Sequence, residues 1–186
     1  MAAYSNAHLD LGTKAYNFAL LDTASDALVS LTDVASSKAT VIMFISNHCP
    51  YVQHILEELV EVAATYKAKG VNFVAISSND AMTYPQDGPQ QMKALALDYD
   101  FSFPYLYDQT QQVARMYEAE CTPEFFVYDS KMRLAYHGQF DDSRPNNGKP
   151  ITGNDLRAVL DALLSKQPVP KEQVPSVGCS IKWRDS

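Results

Sequence analysis

The residue of this sequence best suited to chemistry is a cysteine at a junction between two predicted elements. Cys49 follows the apolar run Val41–Ile45 and precedes Pro50. A cysteine at the start of a helix lies beside unpaired backbone amides and the positive end of the helix dipole, which both favour the thiolate. The thiolate is the nucleophilic form, so this position predicts attack on a disulfide or a peroxide. Protonated His48 would add positive charge, although burial would oppose the effect.

The alternative for Cys49 is an inert small hydrophobic residue, which is the commoner role of a lone cysteine. Few inert cysteines occupy a strand-to-helix junction followed by proline, so we favour the functional interpretation. The other cysteines, Cys121 and Cys179, are distant in sequence. Three widely spaced cysteines do not complete a disulfide framework and are typical of a reducing compartment.

Composition and charge exclude several classes of protein. The chain has 186 residues, of which 46% are hydrophobic, as in an ordinary globular domain. Its 15 basic and 22 acidic residues give a net charge of -7 without a basic cluster, so we expect no nucleic-acid partner. Neither a secretory signal nor a membrane-spanning run is visible, which predicts a cytoplasmic protein without a membrane partner. No paired Cys-x-x-Cys or His-x-x-x-His spacing is present, so we predict no metal and no cofactor.

The segments around Cys49 predict a strand, a helix and a second strand. Val41–Ile45 has the continuous apolar character of a strand that is buried on both faces of a parallel sheet. From Pro50 the apolar residues recur at helical spacing, and Gly70 is typical of a helix end. The apolar run 71–76 is the next strand, and this order implies a right-handed parallel crossover.

The rest of the chain supplies weaker predictions. They are an N-terminal hairpin (16–21 with 28–31), helices over 90–99 and 111–117, a hairpin (125–128 with 134–136), and a last helix that opens at Thr152 with Asp155 in its first turn. We expect the hydroxyl of Thr152 to cap that helix. Segments 141–150 and 167–178 look irregular. We divide the chain into a domain over 1–166 and a Pro-containing tail over 167–186 that docks on it. His8, His137, Asp141 and Asp142 are predicted to face solvent.

Four sequence segments resemble a known superfamily. They are Asn47-His48-Cys49-Pro50-Tyr51-Val52, Ser77-Ser78-Asn79-Asp80, Cys121-Thr122-Pro123-Glu124-Phe125-Phe126 and Gly178-Cys179-Ser180-Ile181-Lys182-Trp183. These segments, in this order along the chain, resemble those of the thioredoxin superfamily. They resemble more closely a peroxiredoxin-like group of AhpC/TSA type with a single cysteine in the thioredoxin motif position. The resemblance spans nearly the whole chain. It implies an α/β thioredoxin-like fold with a central mixed β-sheet flanked by helices.

The resemblance also implies roles for particular residues. Thr122–Pro123 would hold a cis proline beside the active-site turn, and the substrate groove would be formed by Ser46, Asn47, His48, Pro50, Thr122 and Pro123. Cys121, on the loop that enters Pro123, and Cys179, in a tail like those that carry C-terminal resolving cysteines, are the candidates to resolve oxidised Cys49. A disulfide needs Cα atoms within roughly 7 Å. We expect Cys121 to be preferred, because the tail would have to travel across the surface.

Departures from the family patterns limit the predicted chemistry. Val52 stands where thioredoxins have a second cysteine, and Ser46 and Ile42 stand where peroxiredoxins have Thr and Pro. No Arg stands where the peroxiredoxin pattern would put one near Pro123. We therefore predict a thiol-disulfide oxidoreductase or weak thiol peroxidase that uses a protein or small-molecule disulfide or peroxide and an external thiol reductant. The alternative is a non-catalytic binding module or redox sensor, and the oligomeric state stays open.

Overall fold

Ten strands and five α-helices make up the part of the chain described by the structure, a computed structural model covering residues 2–6 and 9–185. The strands are β1 (Ala2–Tyr4), β2 (Ala19–Asp22), β3 (Leu28–Ser30), β4 (Ala39–Phe44), β5 (Val71–Ser77), β6 (Tyr105–Tyr107), β7 (Cys121–Thr122), β8 (Glu124–Tyr128), β9 (Leu134–Gly138) and β10 (Val177–Ser180). The α-helices are α1 (Leu31–Val34), α2 (Pro50–Lys67), α3 (Pro89–Asp98), α4 (Gln112–Met116) and α5 (Asn154–Leu164), and Pro85–Asp87 forms a 3-10 turn.

The strand that leads to Cys49 lies inside a seven-stranded mixed sheet. The strand order is β3-β2-β6-β5-β4-β8-β9, with β4 parallel to β5 and antiparallel to β8. Alternate β4 side chains enter two cores: Val41 and Met43 pack with residues of α2, α3 and α5, and Ile42 and Phe44 pack with residues of α1 and α4. Helices therefore cover both faces, which explains why β4 is apolar at every position except Thr40. The predicted α/β fold with a flanked mixed sheet is confirmed.

The predicted elements occur close to their expected positions. The crossover from β4 through α2 to β5 is present, and α3, α4 and the β8–β9 hairpin match the predicted segments. The N-terminal hairpin pairs β2 with β3, but β2 begins at Ala19 and not at Tyr16. Local hydrophobic spacing was thus sufficient to locate these elements.

The start of α5 differs from the expectation. The helix begins at Asn154, after Gly153 in the left-handed region with φ of 66°, so the N-cap residue is Gly153 and not Thr152. The Thr152 hydroxyl still accepts the amide of Asn154, at 3.2 Å. The backbone amides of Thr152 and Gly153 instead donate to one oxygen of Asp141, each at 2.8 Å. Asp141 is therefore buried, which corrects its predicted exposure, whereas Asp142 is exposed as expected. A carboxylate from a neighbouring loop thus accepts the amides of the two residues that precede the helix.

A second, three-stranded sheet was not predicted from the sequence. Its order is β1-β10-β7, and both pairings are antiparallel. Beyond β10 the chain stays attached, since Ile181 is buried and donates its amide to the Glu120 carbonyl at 3.0 Å. The division of the chain between 166 and 167 stays a prediction. Within the described residues no helix is both long and apolar enough to span a bilayer.

Candidate active site

Cys49 lies at the junction between β4 and α2. It is the N-cap residue of α2 with an extended backbone, and Pro50 occupies the first helical turn, as the sequence predicts. Pro50 suits this position because its missing N–H would be unpaired there in any case. The side chain of Cys49 is fully buried in the core beneath α2, and its Sγ lies 3.3 Å from the carbonyl oxygen of Thr122.

The surroundings of Cys49 favour its thiolate. The pKa of Cys49 is lowered to about 6, chiefly because the Cys179 thiol donates a hydrogen bond to its sulfur. Burial acts in the opposite direction, and the Thr122 side chain and the Val52 backbone amide in the first turn of α2 add to the lowering. The direction agrees with the expectation from the helix terminus. The main cause is nevertheless another cysteine, which the sequence argument did not identify.

Cys179 lies beside Cys49 because β10 pairs with the strand that precedes the proline. In the antiparallel register Cys179 is opposite Thr122 on one side and Ala2 on the other. The premise that the tail must travel across the surface to reach Cys49 is therefore wrong. The pKa of the Cys179 thiol is raised, first by its hydrogen bond to Cys49, then by burial and by the negative charge on Cys49. Of the two thiols, Cys49 is therefore the one that ionises first.

Cys121 is buried and its thiol has a different partner. Its Sγ lies 3.6 Å from Oε1 of Glu124 and 3.9 Å from the carbonyl oxygen of Ser176. Burial and the Glu124 charge raise the pKa of Cys121, so this thiol stays protonated. Its burial and its raised pKa make Cys121 a poor nucleophile in this arrangement.

The residues expected to form a substrate groove divide into two groups. The Thr122–Pro123 peptide bond is cis, as the resemblance implies. Both residues are buried together with Ser46, whose hydroxyl lies 3.3 Å from that of Thr122. Asn47 and His48 are half-buried and Pro50 is exposed. The part of the predicted groove that solvent reaches is therefore the turn before α2.

A buried carboxylate that sequence reasoning missed organises this turn. Asp87 is fully buried, and Oδ1 accepts the backbone amides of Asn47 at 2.9 Å and His48 at 3.1 Å. Oδ2 accepts from the Asn79 amide at 2.9 Å and bonds to Nδ1 of His48, whose ring stacks on Tyr84. His48 is thus oriented by Asp87. No spacing in the sequence marks Asp87, which lies between Pro85 and Pro89 in a segment that looks like a turn.

A second buried carboxylate lies behind the proline loop. Oε2 of Glu124 lies 2.5 Å from Nε2 of His137 and accepts from the Ser5 hydroxyl at 2.8 Å, while Oε1 accepts the Cys121 amide at 3.1 Å. The ring of His137 stacks on Phe126, so its predicted solvent exposure is wrong. His8 lies outside the described residues. An acidic residue at the head of an apolar run was the available signal, because a carboxylate is rarely buried without partners.

Comparisons with known proteins place this geometry in a family. No curated protein matches the chain, but the model of the AhpC/TSA family matches residues 11–137. An uncharacterized conserved protein from Geobacillus kaustophilus is 54% identical, with a TM-score of 0.97 over 100% of this chain and 98% of its own. A hypothetical protein from Sinorhizobium meliloti is 47% identical, with a TM-score of 0.95 over 98% and 99%.

A more distant structure supports the fold alone. A putative thiol:disulfide interchange protein DsbE from Chlorobium tepidum is 24% identical, with a TM-score of 0.65 over 84% of this chain and 99% of its own. The match of the family model to most of the chain, and the cysteine at the head of α2 beside a cis proline, agree with one another. This chain therefore belongs to the AhpC/TSA family, within the thioredoxin superfamily.

Proposed function

We propose that this protein is a thiol-based oxidoreductase in which Cys49 attacks the substrate and Cys179 resolves the product. The observation that carries the proposal is the β10 register, which pairs Cys179 with Thr122, the residue whose carbonyl oxygen lies 3.3 Å from the Cys49 sulfur. In this arrangement the Cys179 side chain lowers the pKa of Cys49 to about 6. At neutral pH such a cysteine is mainly thiolate, the form that reacts with peroxides and disulfides.

The chemistry balances with a peroxide or a disulfide as oxidant. With a peroxide, the Cys49 thiolate attacks one oxygen, the O–O bond breaks and hydroxide (or an alkoxide, from an alkyl hydroperoxide) leaves, which gives a sulfenic acid. Attack by the Cys179 sulfur then forms an S–S bond and releases water. With a disulfide, the thiolate displaces one thiolate and Cys179 displaces the other. An external thiol reductant reduces the Cys49–Cys179 disulfide and is itself oxidised.

Cys179 loses its proton more readily once Cys49 has been oxidised. Two of the three main causes that raise the pKa of Cys179 are its hydrogen bond to Cys49 and the charge on that thiolate. Oxidation of Cys49 to an uncharged sulfenyl or mixed disulfide removes both causes. Cys179 therefore becomes a thiolate more readily after Cys49 has reacted, which is when a resolving nucleophile is needed.

This assignment reverses the preference for Cys121 as the resolving residue. The thiol of Cys121 bonds to Glu124, whose charge opposes its ionisation, and does not supply the hydrogen bond that lowers the pKa of Cys49. A Cys49–Cys121 bond would require that thiol to leave its partner. Cys121 stays a candidate catalytic residue only if Cys179 is unavailable.

Peptide mapping by mass spectrometry under non-reducing conditions tests the cycle. After treatment with one equivalent of hydrogen peroxide we expect a Cys49–Cys179 linkage, and the same linkage in Cys121→Ser. The Cys179→Ser variant should stop at a Cys49 sulfenic acid that a dimedone probe traps. A Cys49–Cys121 linkage in the natural chain would contradict the assignment of Cys179. Unmodified Cys49, with alkylation no faster than free cysteine, would favour a non-catalytic binding module.

A further inference from the structure

The strand edge beside Cys49 is occupied by the protein's own tail. β7 ends at Thr122, whose carbonyl oxygen contacts the Cys49 sulfur, and β10 pairs with β7 along this edge. Exposed strand edges bind extended peptides by adding a strand, because unpaired N–H and C=O groups form a template. Here β10 provides that strand, and Cys179 is its residue paired with Thr122.

Close packing at Gly178 allows β10 to lie this near the proline loop. A Cβ atom at Gly178 would be 1.9 Å from the Thr122 carbonyl oxygen and 2.6 Å from its carbon. Real Cβ atoms do not approach a backbone so closely, so only glycine permits this contact. The fit is specific to position 178, since Ser180 two residues further along β10 is exposed.

Contacts at both ends of β10 hold it in place. Before it, the Ser5 amide donates to the Ser176 carbonyl at 3.0 Å. After it, the Asp80 amide donates to the Lys182 carbonyl at 2.8 Å, and the Lys182 amide donates to Oδ1 of Asn79 at 2.9 Å. An incoming peptide would have to break these bonds as well as the ladder. A small oxidant forms no strand ladder and need not take the place of β10.

We propose that β10 is a specificity element that restricts Cys49 to small molecules with a reactive O–O or S–S bond and excludes extended protein segments. This inference rests on the proposed function and adds its substrate class. Because the excluded feature is an extended backbone, peroxides and low-molecular-weight disulfides are both admitted. The residue that sets the restriction is Gly178.

Two disulfide probes with the same leaving group test the restriction. One is cysteine linked to thionitrobenzoate, and the other is a ten-residue extended peptide whose central cysteine carries that group. Cys49 attacks the substrate sulfur and the coloured thionitrobenzoate anion leaves, so both rates are followed by absorbance. In the natural chain we expect the small probe to react roughly 100-fold faster, the factor expected from the net worth of a few backbone hydrogen bonds. Hydrogen peroxide in a third arm shows whether the O–O bond is also used.

Displacing β10 should abolish the difference between the rates of the small probe and the peptide probe. Gly178→Val is expected to bring the ratio of the two rates within roughly 3-fold of one, and Ser180→Val, with the same new side chain in solvent, should keep the natural ratio. Because both probes meet the same sulfur, a changed Cys49 pKa cancels in the ratio. Should Gly178→Val fail to fold, Ile181→Ser, which weakens the buried anchor after β10, gives the same comparison.

Failure of the inference differs from failure of the proposed function. If the natural chain reacts with both probes equally fast, or if both displaced variants keep the natural ratio, the restriction by β10 is refuted and the cysteine chemistry stands. If neither probe reacts faster with the protein than with free cysteine, the proposed function fails and the inference fails with it.

Discussion

Replacing Cys179 by alanine should raise the pKa of Cys49 and so slow its reaction at neutral pH. The Cys179 thiol is the largest cause of the lowered pKa, and burial, which the substitution leaves in place, acts against it. A hydrogen bond to a charged group contributes about 1.5–3 kcal/mol, and one pKa unit corresponds to about 1.4 kcal/mol. The loss therefore predicts a rise of about 1–2 units, from about 6 to roughly 7–8.

This shift changes the thiolate fraction of Cys49 strongly at pH 7. With a pKa of about 6, about nine tenths of Cys49 is thiolate, and with a pKa of 7–8 only roughly one tenth to one half is. The assay is the pH profile of alkylation by iodoacetamide, with labelling at Cys49 quantified by mass spectrometry. The midpoint of the profile is the relevant quantity, because the intrinsic reactivity of a thiolate rises with its pKa and affects the rate at any single pH.

Two further variants separate this hydrogen bond from other effects. Cys179→Ser keeps an O–H donor and should keep a low midpoint, although it cannot form the disulfide. Cys121→Ser removes a thiol that bonds to Glu124 and should shift the Cys49 midpoint by less than about 0.5 unit. A Cys179→Ala profile that still has its midpoint near 6 would refute the reasoning, because the helix terminus and Thr122 would then suffice.

Three other predictions follow from the same geometry. Asp87→Asn should lower the free energy of unfolding, measured by urea denaturation, by roughly 2–4 kcal/mol, because the buried acceptor of two backbone amides and His48 loses its charge. The exposed control Asp142→Asn should change it by less than about 0.5 kcal/mol, and equal effects would contradict the role of Asp87. Under reducing conditions the free energy of unfolding of the natural chain, relative to that of Cys49→Ala, should increase as pH rises from about 6 to about 8.5, because Cys49 holds its proton over that range in the unfolded chain and has lost it in the folded one. A relative stability that decreases over this range would contradict the lowered pKa of Cys49. Stopped-flow oxidation by hydrogen peroxide should be slow compared with true peroxiredoxins, since Ser46 and Ile42 replace the Thr and Pro of that pattern, and a rate near the diffusion limit would overturn this expectation.

The order of elements around Cys49 could be predicted because it is encoded locally. A continuous apolar run identifies the buried strand β4, Pro50 and the helical stripe identify α2, and Gly70 marks its end. The cis proline was predicted through resemblance. These features depend on residues close together in the chain, so hydrophobic period and turn chemistry suffice to locate them.

The charge and partner of Cys49 were decided by tertiary structure. β10 is four residues long, contains Gly178 and follows a proline-rich segment, so no periodicity marks it as a strand, and its pairing with β7 depends on distant parts of the chain meeting. The same holds for Asp87 and Glu124, whose burial is tolerated only because donors from other segments converge on them. The sequence alone determined which sulfur lies at the start of α2. Long-range strand pairing decided which sulfur lies beside it, because a pKa is set by neighbours in space and not by neighbours in the chain.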